Sequence, residues 1–98
     1  ARQLCTLRGE GKRVVLVSSG AVRAGAERLG WAQRPRTLPL RQAAAAVGQG
    51  RLMSLYAEAF GAHGVPVGQV LLTRQLAQER ASYVNARNTL NTLLREGV

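Results

Sequence analysis

Aspartate is absent from this 98-residue sequence, and its five acids are all glutamates, at Glu10, Glu27, Glu58, Glu79 and Glu96. Each lies in or beside an expected helix, where exposure to solvent is the default, so no carboxylate pair is set up for acid/base chemistry or for a magnesium site. One cysteine, Cys5, excludes an internal disulfide, and one histidine, His63, leaves no Cys/His cluster with metal-ligand spacing. Long apolar runs are missing too. Val14 to Val17 and Ala43 to Val47 fall far short of the roughly 18 residues of a membrane-spanning helix, which leads to the expectation of a soluble, cytoplasmic protein. Only four residues are aromatic (Trp31, Tyr56, Phe60 and Tyr83).

What is abundant is arginine, 13 of them beside the single Lys12, for a formal net charge of +9. Such a charge raises the possibility of a nucleic-acid-binding module. The arginines are spread along the whole chain, from Arg2 to Arg95, however, and few aromatics are interleaved to stack on bases, so a solvated arginine-rich surface is the favoured reading. The length admits one small domain or a part of one. The start at Ala1 and the end at Gly97-Val98 suggest an internal piece of a longer chain.

Punctuation by glycine and proline divides the chain. Leu4 and Leu7 at helical spacing before Gly9 and Gly11 predict the last turns of a helix over Ala1 to Arg8. Val14 to Val17, three valines and a leucine in a row, predict a strand covered on both faces. A short helix is expected from Ala21 to Gly30, a loop over Trp31 to Pro39, and a long helix from Leu40 to His63 whose stripe is Leu52, Leu55, Tyr56, Ala59 and Phe60. The first half of that helix is rich in small residues, from Ala43 to Gly50. This permits close approach by another element, with internal packing favoured over the alternative of a subunit-docking face.

A second strand is expected at Val67 to Leu72, then a short helical stretch over Arg74 to Arg80 capped by Thr73, and a last helix from Tyr83 to Arg95 with Ser82 as its N-cap. Ala86, Leu90, Leu93 and Leu94 form its inner face. Strands separated by helices need crossovers, so the predicted class is α/β: part of a mainly parallel sheet with helices on both faces, incomplete because two strands cannot make such a sheet alone.

Ligands of open parallel sheets bind where a strand ends and a helix begins. Ser18-Ser19-Gly20-Ala21 occupies that place. Gly20 admits a close backbone approach, Ser19 offers a hydroxyl, and the helix N-terminus favours a carboxylate or phosphate. Taken locally, a serine before a helix is more often an N-cap than a ligand contact. The turn carries neither the lysine of a P-loop nor the spacing of a dinucleotide fingerprint, and it lacks the glycine frame of a nucleophile elbow.

The stretch Arg13 to Val22 (RVVLVSSGAV), with Ala24-Gly25 and Leu29-Gly30 after it, resembles the second strand and substrate loop of the glutamate 5-kinases, members of the amino acid kinase superfamily. The resemblance continues through Gln42, Ala44 to Gln49, Arg51-Leu52, Val67 to Thr73 and Asn85 to Leu90, in order and over nearly the whole chain. It implies a partial amino acid kinase domain over residues 1–98, the substrate-binding half of a three-layer fold. The implied activity is ATP-dependent phosphorylation of the side-chain carboxylate of L-glutamate to glutamyl 5-phosphate, the first step toward proline, with magnesium accompanying ATP.

Ser19 corresponds to the family's glutamate-contacting serine, with Gly20 and Ala21 as backbone neighbours; no catalytic, cofactor or metal residue carries over to this chain. The ATP contacts and the substrate-binding Asp and Asn residues of the family would lie outside it. The 98 residues alone are therefore expected to be inactive. Homo-oligomerisation and inhibition by proline are further implications of the resemblance.

Overall fold

The computed structural model describes residues 1–73 and 78–98. Four helices are found among them: α1 over Arg2–Gly9, α2 over Ala21–Arg28, α3 over Leu38–Gly61 and α4 over Arg80–Arg95. They fall into two units, one comprising Ala1–Val14 with Phe60–Val98 and the other Val15–Ala59.

Each of the four helices stops on the same device. Gly11, Gly30, Gly64 and Gly97 take positive φ, from 69° to 84°. In each case that glycine's N–H bonds back three residues and the next residue's N–H bonds back five: Gly30 to Glu27 and Trp31 to Ala26 after α2, Gly64 to Gly61 and Val65 to Phe60 after α3. This is the Schellman stop, which satisfies the last carbonyls and needs a left-handed residue that glycine adopts without a Cβ penalty. Gly9, expected to help end α1, instead lies inside it.

The unit of residues 15–59 is built around the crossing of α2 and α3. Ala44 is fully buried, and Gly25, Ala26 and Gly48 are buried with it. A Cβ at Gly25 would overlap the Ala44 carbonyl and lie 2.9 Å from its Cα. A Cβ at Gly48 would overlap the Ala21 carbonyl, with the carbonyl carbon at 2.8 Å. Backbone therefore packs on backbone, and Ala44 and Gly48 in the first half of α3 serve internal packing, whereas Ala43, Ala46 and Gly50 stay exposed. Ala44 and Gly48, two positions of the suggested subunit-docking face, are already occupied by α2.

Two boundaries differ from expectation at the start of helices. α3 begins at Leu38, so Pro39 sits in its first turn, where the missing N–H would have had no intrahelical acceptor. α4 begins at Arg80 with Glu79 as N-cap. Ser82 lies within α4, and its hydroxyl donates to Glu79 Oε2 at 3.2 Å. The helix starts a turn earlier than Ser82 implied because the sequence from Arg80 on contains no breaker. The expected helical stretch over Arg74 to Arg80 and the cap by Thr73 fall largely on residues 74–77, outside the described residues.

The stripe of α3 is narrower than its sequence suggested. Leu52, Tyr56 and Phe60 are half-buried, whereas Leu55 and Ala59 are exposed. In the other unit, α4 turns Ala86, Leu90, Leu93 and Leu94 to its half-buried side as expected. Gly68 passes close above it: a Cβ there would lie 3.1 Å from Leu93 Cδ1 and 3.3 Å from Val98 Cγ1. Arg8 Nη2 donates to the Gly97 carbonyl at 2.6 Å, which joins the end of α1 to the end of α4 and places a cation where helix carbonyls accumulate.

Neither expected strand is present as a strand among the described residues; Val14 to Val17 and Val67 to Leu72 carry no regular secondary structure. A strand exists only through hydrogen bonds to a neighbour, and neither segment has one here. Five of their apolar side chains (Val15, Leu16, Val17, Leu71 and Leu72) are consequently left in solvent, with Val17 82% and Leu72 65% exposed, while Val14, Val67 and Val70 are half-buried.

Candidate substrate-binding turn

The turn that precedes α2 is assembled from local hydrogen bonds and a brace from α3. Ser18 Oγ accepts the Gly20 N–H at 3.2 Å, a serine turn in which a hydroxyl replaces the backbone carbonyl of a tight turn. Gly20 follows as the N-cap of α2, with φ −74° and ψ −7°. Its carbonyl accepts the Ala24 N–H at 3.0 Å, the first hydrogen bond of the helix. The amides of Ala21, Val22 and Arg23 precede the first internal donor and have no intrahelical acceptor.

No side chain caps α2, and its first turn contains no acid. Ser19 is thus one residue before the cap, exposed, and it is Ser18 that bonds the turn's amide. The simple capping role that competed for Ser19 is therefore not the one it has. Gly20 and Ala21 are half-buried beside it. Ser19, Gly20 and Ala21 are brought together at the positive end of α2, where a hydroxyl and free amides suit an oxyanion. Arg23, also in the first turn, pairs with Glu27 at 3.1 Å one turn later; both side chains are largely in solvent, so the pair contributes little to stability.

Behind the turn, α3 presents Ala44, Gly48 and Leu52 at successive i+4 positions. The first two receive α2, and the third braces Gly20: a Cβ on Gly20 would sit 3.5 Å from Leu52 Cδ1 and 3.3 Å from Ser18 Oγ. Ser18 and Leu52 have roles in the turn that the sequence did not assign to them. A serine two residues before a glycine amide was the available signal for the first. For the second it was the spacing of eight residues from Ala44 along one helix ridge.

Among the described residues, no three His, Cys or Glu side chains converge in a way that could hold an ion. A lysine-bearing phosphate loop is likewise missing from the turn. The chemistry on offer is the positioning of an anionic small molecule.

The model of the amino acid kinase family matches residues 1–98, the entire chain. The chain belongs to the amino acid kinase family. Within that family its relatives include glutamate 5-kinases from Aromatoleum aromaticum, 55% identical over 98 residues, from Methanosarcina barkeri, 52% identical, and from Burkholderia mallei, 54% identical. Each of these comparisons covers 100% of this chain and 26% of the relative. This amino acid kinase chain therefore spans about a quarter of the length of the curated relatives it matches.

Proposed function

We propose that the whole protein carrying this chain transfers a phosphoryl group from ATP to the side-chain carboxylate of L-glutamate, giving glutamyl 5-phosphate. The observation that carries the proposal is identity of 52 to 55% to glutamate 5-kinases sustained across all 98 residues. Conversion of those names into a role for this chain rests on the turn before α2. Ser19 is exposed and free of a capping duty, and the Ala21 to Arg23 amides have no intrahelical acceptor. A glutamate carboxylate held there is oriented by hydrogen bonds from Ser19 and the helix N-terminus.

Phosphoryl transfer relies on positioning and on positive charge around the transferring group. MgATP supplies the phosphoryl group and neutralises its charge, with ligands from outside these 98 residues. The chain's own share is to fix the acceptor: Ser18 holds the turn's shape, Leu52 supports Gly20 from behind, and Ser19 meets the substrate.

The exposed apolar segments Val14 to Val17 and Val67 to Leu72 belong, in this proposal, to a mainly parallel sheet whose other strands come from the rest of the protein, with helices on both faces. A cytoplasmic homo-oligomer in which proline competes for the glutamate site completes the reading.

The test is glutamate-dependent formation of acyl phosphate, trapped as the hydroxamate, by the whole protein with ATP and magnesium. Product that requires L-glutamate is expected. No glutamate-dependent product from the folded whole protein overturns the assignment.

A further inference from the structure

The linker between α2 and α3 carries a feature that the glutamate turn does not use. Gln33, Arg34, Pro35, Arg36 and Arg41 line an open cavity of about 670 Å³, within the size range of small-molecule sites. Three of its five lining residues are arginines and none is acidic. From Glu27 to Glu58 the sequence contains no acid at all, while Arg28, Arg34, Arg36, Arg41 and Arg51 fall between them. Glu27, at the near end of that run, is engaged by Arg23 at 3.1 Å. Arg34, Arg36 and Arg41 make no ion pair and donate no side-chain hydrogen bond among the described residues.

Pro35 is buried between Arg34 and Arg36, which are exposed, so the backbone between the two arginines is anchored. Arg41 stands in the first turn of α3, where its N–H bonds the Thr37 carbonyl at 3.0 Å. That first turn contains no acid. Three always-charged arginines thus line one concavity that has no acid among its lining residues.

We propose that this cavity is a second binding site, for a small molecule bearing at least two closely spaced negative charges, either phosphoryl or carboxylate. Guanidinium forks match both kinds of oxyanion through paired N–H donors, and two or three of them around one ligand favour a polyanion over a monoanion. The site lies on the α2–α3 linker and shares no residue with the Ser19 turn, so it stands whether or not glutamate is the substrate.

Titration calorimetry on the whole protein at fixed low ionic strength tests the site, with pyrophosphate as probe in one arm and citrate in the other. Saturable binding is expected in at least one arm; tighter pyrophosphate binding identifies a phosphoryl-bearing ligand, tighter citrate binding a polycarboxylate. In an R34Q/R36Q/R41Q variant the same binding should be lost. Single R36Q and R41Q variants should each weaken it by about tenfold, the loss of one charge-assisted hydrogen bond, and they stand in if the triple variant does not fold. Equal affinity in wild type and variants, or no saturable binding in either arm, overturns the site.

Discussion

Ser19 has no structural duty to the helix it precedes. The amide of the turn goes to Ser18 Oγ, and Gly20 holds the capping position. Ser19→Ala should therefore leave stability almost unchanged and raise the KM for glutamate by about tenfold to a hundredfold, the effect of losing a hydrogen bond to a charged ligand. The KM for ATP should stay within about twofold of wild type. Steady-state kinetics of the whole protein checks the split, and equal rises in both constants would assign Ser19 to folding. Ser18→Ala is the counterpart, since it removes the acceptor of the Gly20 N–H. Gly64 illustrates a residue chosen for its backbone alone: φ is +69° and a Cβ would meet nothing within 4 Å. Gly64→Ala should still cost about 1–2 kcal/mol in denaturant unfolding, because the left-handed conformation itself is penalised in any L-residue.

Helix pairing turns on two glycines, one in each helix, that differ from a third in α3. At Gly25 and Gly48 an added methyl would enter the backbone of the partner helix, whereas Gly50, also in α3, has nothing within 4 Å. Gly48→Ala should accordingly destabilise the protein by about 3 kcal/mol through forced separation of α2 and α3. Gly50→Ala should stabilise it by roughly 0.5–1 kcal/mol through helix propensity. Thermal unfolding of the pair distinguishes a specific crossing from general helix weakness, because propensity alone would make both substitutions favourable. The separation matters to the site: the Ala44, Gly48 and Leu52 ridge holds α2 and Gly20, so Gly48→Ala should also impair glutamate binding.

At the scale of the molecule, the decisive quantity is how little the described residues bury. Ala26 and Ala44 are the buried hydrophobic residues among those described, and no large side chain there is fully enclosed. Val15, Leu16, Val17, Leu71 and Leu72 are each 49% exposed or more. At about 25 cal/mol per Å² of apolar surface, leaving such side chains in water forgoes stabilisation that an isolated small chain can ill spare. The 98 residues expressed alone should bind a hydrophobic dye such as anilinonaphthalene sulfonate strongly and form no glutamyl phosphate. The whole protein should bind the dye weakly. Weak dye binding by the short chain would show that its apolar segments find cover within it.

Local rules in the sequence determined much of this protein. Glycine placement determined where the helices stop, the small residues of α3 implied a close helix contact, and the Ser-Ser-Gly-Ala turn marked the candidate site before α2. Those features depend on neighbours a few residues away, or on side chains too small to keep a partner at a distance. The tertiary structure decided what needed a distant contact. It selected Ser18 over Ser19 for the turn's amide, put Leu52 behind Gly20, and narrowed the α3 stripe to Leu52, Tyr56 and Phe60. It also left the two valine-rich segments without ladders. A strand signal in sequence expresses a preference for pairing, and pairing requires a second strand that neither segment meets among the described residues.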